Sequence, residues 1–227
     1  MESGNCAIAS HRRQSNPPGM KLLLALTLAA TMPLAAAPEK RSPASVTPNC
    51  ETGLAPGKYS EKSIYRVSAD WTDAEGKKVR LDSLRGRPVV VVMFFTSCLH
   101  SCPFIVNDLK AMQKALSAKA ADRAQFVLVS IDPERDSAAA LEEFRTKHKL
   151  GGDRWTLLTG SHDAVKRLAE KIGFSYAPGS KTQFAHSLLV TILDGNGDVA
   201  HQQAGLGVDR RDAIKKLENL SIAQPAR

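Results

Sequence analysis

An unbroken apolar run at residues 89–95, built of four valines, a methionine and two phenylalanines, is the strongest constraint on this chain. Its length and β-branched content read as a strand buried within a sheet. Directly after it stand Cys98-Leu99-His100-Ser101-Cys102-Pro103, and then residues 104–116, where Ile105, Leu109, Met112 and Leu116 recur at helical spacing. Two thiols therefore fall where a strand hands over to a helix. That end of a helix concentrates positive potential and free N–H groups. A thiol placed there loses its proton more readily, which makes it both a nucleophile and a soft metal ligand.

The remainder of the chain supplies neighbours for that strand. Residues 63–67 and 77–81 read as two short strands around the turn Asp73-Ala74-Glu75-Gly76, an N-terminal hairpin. Residues 125–131 form a second β-rich run, ended by Asp132-Pro133. Residues 138–148 are helical, with Leu141 and Phe144 on one face and Asp136 as the expected N-cap. Residues 155–158 are a short strand, and Ser161 caps a helix running to about Ile172. Residues 188–193 and 199–203 flank Asp194-Gly195-Asn196-Gly197-Asp198, a hairpin signal. Asp209 is placed to cap a last helix reaching about Leu220. Strands and helices that alternate and close with an antiparallel pair argue for an α/β fold with a central mixed sheet flanked by helices.

Of the 227 residues, 1–37 read as an upstream extension and a secretory signal peptide. Met20-Lys21 opens an apolar stretch at residues 22–30, which runs on to small residues at Ala35, Ala36 and Ala37. The stretch is shorter than the roughly 20 apolar residues that a bilayer-spanning helix needs, and Pro33 interrupts it. Residues 38–57 hold Pro38, Pro43, Pro48 and Pro56 with Gly53 and Gly57, and read as a flexible linker. Residues 58–227 then form one domain. The expected location is periplasmic or otherwise exported, with membrane association through an uncleaved signal segment as a variant of it.

Export decides how the four cysteines are read. Cys6 falls in the removed part, and Cys50 in the linker reads as a spare thiol rather than a resolving one. An exported dithiol drifts to a disulfide unless a reductant or a metal holds it. The formal net charge is +8, and the domain stays basic without the N-terminal segment. No basic stripe interleaves with aromatics, so nucleic acid is excluded, and the charge fits solubility and weak steering toward an acidic partner.

Spacing of four residues puts two side chains on one helix face, with Cβ atoms about 5–6 Å apart. A disulfide wants about 3.5–4.5 Å, so closing one needs a partly unwound first turn. Pro103 at the first helical position would provide that, with Cys102 at the cap and Cys98 in the preceding loop. A metal tolerates the wider gap, since it sits about 2.3 Å from each sulfur. Both fates are open, and metal is mildly favoured when the thiols are reduced. Two thiolates make an incomplete site. His186, in Phe184-Ala185-His186-Ser187 before a strand, is the best third ligand, because ligands gather at strand ends beside such a helix. A histidine that merely caps the strand end is the even alternative. His100, two residues from Cys98, points away, and His11, His148, His162 and His201 show no ligand spacing. Asp132-Pro133-Glu134-Arg135-Asp136 follows a strand on the same edge. Asp132 and Asp136 are candidates to hydrogen-bond the ligands or adjust the charge of the site, and equally to form a turn and a helix cap.

Taken together, Cys98…Cys102-Pro103 after a strand, the 132–136 segment, and His186-Ser187 before a strand ending Asp194-Gly195-Asn196-Gly197 resemble the Sco/SenC family. Trp71-Thr72-Asp73 and Leu84-Arg85-Gly86-Arg87-Pro88 fit the lead-in of that family, and the resemblance spans residues 59–220. It implies a thioredoxin-like fold and one copper ion held by Cys98, Cys102 and His186, a donor set suited to Cu(I) and able to hold Cu(II). The implied task is delivery of copper to the dinuclear copper centre of cytochrome c oxidase subunit II, or to another cuproprotein. A periplasmic copper donor and a thiol reductant are the implied partners, and the chain reads as a monomer. Two positions depart from the family pattern: Leu99 replaces the usual proline, and Ala185 a frequent aspartate.

A metallochaperone is thus the first reading, rather than an enzyme. Its alternative is a thiol-disulfide oxidoreductase in which Cys98 and Cys102 are the redox-active pair, keeping the cysteines of the same recipient reduced. A thiol peroxidase is a weaker third.

Overall fold

The computed structural model describes residues 59–180 and 183–223. The expectations for the signal peptide, the linker, Cys6 and Cys50 fall outside these residues. A hairpin of β1 (Trp71–Asp73) and β2 (Lys78–Val79) comes first, followed by β3 (Val89–Phe94), α1 (Ser101–Ala115) and α2 (Ala118–Arg123). Then come β4 (Gln125–Ser130), α3 (Ala138–Lys147), β5 (Trp155–Thr159) and α4 (His162–Ile172). A second hairpin, β6 (Tyr176–Ser180) and β7 (Gln183–His186), precedes β8 (Leu189–Leu193), β9 (Val199–Ala204) and α5 (Arg211–Ala223). Seven strands form one mixed sheet in the order β2-β1-β5-β4-β3-β8-β9, and β6 and β7 pair with each other.

Strand β3 sits inside that sheet, parallel to β4 from Val89↔Gln125 to Phe94↔Ser130 and antiparallel to β8. Every residue of β3 and of β4 is buried, which explains why β3 and the middle of β4, Phe126 to Val129, are continuous apolar runs instead of alternating. Helices provide the cover through stripes at helical spacing: Ile105, Val106, Leu109 and Met112 of α1, Leu141 and Phe144 of α3, and Val165, Leu168 and Ile172 of α4. Among the described residues no helix is long and apolar enough to cross a membrane.

Three local expectations are corrected. The turn at Asp73–Gly76 is present, with the Lys77 N–H donating to Asp73 Oδ1, but the strand before it is Trp71–Asp73. Residues Ile64–Arg66 form a 3-10 turn instead, because Ser63 Oγ accepts from the Tyr65 N–H while its hydroxyl donates to Asn196 O. A capping serine here overrides strand propensity. Helix α1 starts at Ser101, so His100 rather than Cys102 stands at its cap and Pro103 is its third residue. The missing N–H is harmless there, since the first four N–H groups of a helix have no intrahelical acceptor. Helix α3 is capped by Ser137, whose Oγ accepts from the Ala140 N–H, and not by Asp136.

Asp136 has another task. Fully buried, it accepts from the Thr96 N–H at 3.0 Å, from Thr96 Oγ1 at 2.5 Å and from Ser130 Oγ at 2.5 Å. Burial pushes its carboxyl above the usual range against the opposing pull of these donors. The carboxylate thereby ties the loop leaving β3 to the end of β4. Asp136→Ala strands those donors, and urea unfolding is expected to show a loss of about 1–3 kcal/mol. Asp136→Asn, which keeps a side-chain acceptor, should lose less.

Candidate metal centre

Where β3 ends, the chain turns sharply: the Cys98 N–H donates to Phe95 O at 3.2 Å. This turn sets the Cys98 sulfur over the start of α1, where the Cys102 N–H donates to it at 3.4 Å. Ser101 Oγ lies 3.2 Å from the same sulfur. Both thiols are free and buried, Cys98 at 7% and Cys102 at 1% exposure. The hydrogen bond from the Cys102 thiol draws the Cys98 thiol down to about 4, helped by the Ser101 hydroxyl and the N–H groups of Cys102 and His100, while burial opposes. Cys102 moves the opposite way, driven up by its bond to Cys98 and by burial. The pair therefore holds one proton, on Cys102, and presents Cys98 as the thiolate.

His186 ends β7, paired with Tyr176 across the hairpin. Its ring meets the Phe95 ring edge-on with centroids 5.7 Å apart and stacks on Phe174 at 6.1 Å. Nδ1 lies 2.8 Å from Ser187 O, an atom that can only accept, so the proton resides on Nδ1. Nε2 is left with its lone pair, 3.3 Å from Ser101 Oγ, the hydroxyl that also lies beside the Cys98 sulfur.

The ligand atoms of Cys98, Cys102 and His186 all lie within 4.8 Å of one another. Three donors around one ion, at about 2.3 Å for sulfur and about 2.0 Å for nitrogen, would stand roughly 3.5–4 Å apart. The group thus needs only a small contraction to close on a metal. Its chemistry fits as well: one sulfur already ionised, a second beside it, and an imidazole whose remote N–H is held by a carbonyl, as metal-binding histidines usually are.

The other expected residues are placed elsewhere. His100 is exposed at the cap of α1, His162 is exposed beside Glu134, and His148 packs on Phe144. His201 lies in β9, and His11 is outside the described residues. The hydrogen bonds of the Asp136 carboxylate go to Thr96 and Ser130, and Asp132 pairs with Arg135, so both act behind the ligands rather than on them. Ser101 was not among the expected residues, yet it bridges Cys98 and His186. Its position three residues after a thiol, in the first turn of a helix, is the signal that marks it. Leu99 and Phe104 flank the thiols at 74% and 65% exposure.

A protein-family model described as SCO1/SenC matches residues 58–221. The SCO1 protein homolog of Bacillus subtilis (strain 168) is 29% identical over 135 residues, covering 58% of this chain and 69% of the relative. A solved SCO1/SenC family lipoprotein from Bacillus anthracis superposes with a TM-score of 0.61 at 26% identity, over 67% of this chain and 92% of that one. Bradyrhizobium japonicum ScoI with copper bound gives a TM-score of 0.56 at 22% identity, over 67% and 96% of the two chains. The fold is thioredoxin-like. With the match running through nearly all the described residues, this chain belongs to the SCO1/SenC family.

Proposed function

We propose that this chain is an exported copper metallochaperone that carries one copper ion on Cys98, Cys102 and His186. The observation that carries this reading is the convergence of two buried sulfurs and an imidazole nitrogen within 4.8 Å of one another. Two thiolates and one imidazole suit Cu(I), and the same set holds Cu(II). Solved relatives of the same fold include one described with copper bound, which supports copper as the cargo. The recipient is the dinuclear copper centre of cytochrome c oxidase subunit II or that of another cuproprotein. Residues 1–37 act as the export signal and residues 38–57 as the tether to the domain, which works as a monomer.

The residues divide the work of loading. Cys98 is ionised beforehand, so only the Cys102 proton must leave when the second sulfur binds. Ser101 relinquishes the His186 lone pair, and its hydroxyl remains available to the Cys98 sulfur. Ser187 O holds the ring in the tautomer that ligation requires. A second reading rests on the lowered Cys98 alone: a thiol-disulfide oxidoreductase in which Cys98 attacks a partner disulfide. Cys102 then loses its proton and displaces the mixed disulfide, leaving the partner with two thiols and this chain with a disulfide.

Anaerobic Cu(I) titration of the reduced chain against a competing chelator separates the two. One-to-one binding that weakens about tenfold or more in His186→Ala is expected, since removing even a ligand's hydrogen-bond partner costs that much. Weak binding that the variant leaves unchanged would transfer the function to the dithiol. Alkylation provides a second check. Carboxamidomethylation of Cys98 in the metal-free, reduced protein should be nearly flat above about pH 5 and fall as the pH drops through about 4. A rate that keeps climbing through pH 8, as for an ordinary thiol, would show that Cys98 is not ionised in advance.

A further inference from the structure

Hairpin β6–β7 delivers the third ligand, but its strands pair with each other and not with the seven-stranded sheet. Downstream of His186 the backbone rejoins the sheet at Leu188, whose carbonyl accepts from the Gly205 N–H at 2.9 Å, and the hairpin itself meets the dithiol side of the fold through side-chain contacts. Phe184 and His186, two apart on one strand, face the same side, and both rings pack against Phe95, at 5.3 and 5.7 Å. On Phe184 also lies the guanidinium of Arg135, 5.7 Å from the ring centroid. Arg135 is itself held, since its Nε donates to Asp132 Oδ2 and the Asp132 side chain is only 3% exposed.

Asp132 and Arg135 belong to one tight turn, in which the N–H groups of Arg135 and Asp136 both donate to Asp132 O, at 3.2 and 2.9 Å. From that turn two arms reach the site. The Asp136 carboxylate grips Thr96, two residues before Cys98, and Arg135 covers Phe184, two residues before His186. Each arm ends at the same offset from a ligand.

We propose that Arg135 is a positioning residue for His186, and that the 132–136 turn, by holding Thr96 and Phe184 at once, sets the spacing between the thiolates and the imidazole. This rests on His186 being the third ligand. A cation over an aromatic face favours one placement of the ring, whereas apolar packing alone is non-directional. Without Arg135 the hairpin keeps its fold but loses its fixed distance from the dithiol, and the thiols are unaffected.

The test is a cycle of Cu(I) affinities on the reduced full chain with Arg135→Ala, His186→Ala and the double variant. Amide hydrogen exchange of the metal-free proteins accompanies it. Arg135→Ala is expected to weaken Cu(I) binding about three- to tenfold, with no further loss when His186 is already alanine. Amides of β6–β7 should exchange faster while those of α1 keep their rates. Phe184→Leu, which keeps an apolar contact but removes the ring face, should reproduce both effects and add nothing to Arg135→Ala. Equal losses in the presence and absence of His186 would overturn the proposal, as would wild-type affinity and hairpin exchange in both Arg135→Ala and Phe184→Leu. If His186→Ala itself leaves affinity unchanged, the three-ligand reading fails, and the exchange rates of the hairpin still decide whether Arg135 holds it.

Discussion

Burial of β3 on both faces is the constraint from which the rest follows. A strand with no exposed residue needs a neighbour on each edge and cover above and below, and β4, β8 and the helices provide them. Each large apolar side chain taken out of water contributes about 1.5–3 kcal/mol, which anchors this strand inside the sheet between β4 and β8. Its end is then fixed at Phe94, and the chain must leave the sheet there. The turn closed by Phe95 O and the Cys98 N–H brings the first thiol over the start of α1, whose own packing through Ile105, Leu109 and Met112 fixes the second.

What results is a pair of thiols whose surroundings pull them in opposite directions, Cys98 toward the thiolate and Cys102 toward the thiol. A thiolate in a buried position is costly unless donors surround it. Cys98 has the Cys102 thiol, the Ser101 hydroxyl and N–H groups of the helix start around it, and these outweigh its desolvation. Cys102, deeper and beside a charge, keeps its proton. An ionised sulfur beside a protonated one is the starting state of both candidate chemistries. What distinguishes them is the imidazole, which a dithiol exchanging with a disulfide does not require and a three-coordinate metal does. Its tautomer is fixed by a backbone carbonyl, an acceptor that cannot change its role with protonation.

Much of this was legible in the order of residues, and the exceptions have physical causes. Strands β3, β4 and β8 announce themselves as apolar runs, α1 and α4 by their period, and the β8–β9 turn by its Asp and Gly residues. Residues 63–67 misled because Ser63 satisfies the backbone locally, through a partner at Asn196 that lies far away in the chain. Hairpin β6–β7 went unread because Pro178 and Gly179 lie inside it, and such residues normally mark loops. The location of His186 could be read from its place before a strand. Its tautomer could not, because that depends on Ser187 O. Asp136 looked like a cap because it precedes a helix, yet its partners, Thr96 and Ser130, belong to two other segments.

The two departures from the family pattern carry different weight once their places are known. Leu99 is 74% exposed, so the shape of the loop between the thiols does not depend on a buried side chain there. That shape is imposed from the two ends, by the grip of Asp136 on Thr96 and by the hydrogen bond from the Cys102 N–H to the Cys98 sulfur. A proline ring would add stiffness to a loop that is already held. Ala185 is exposed, on the face of β7 opposite His186, as alternation along a strand demands. An aspartate there would not be needed to orient the imidazole, because Ser187 O already takes the Nδ1 proton. Cys98, Cys102 and His186 thus converge within 4.8 Å with an exposed leucine at 99 and an exposed alanine at 185, and the contacts that hold them come from Ser187 O, Thr96 and the helix start rather than from either position.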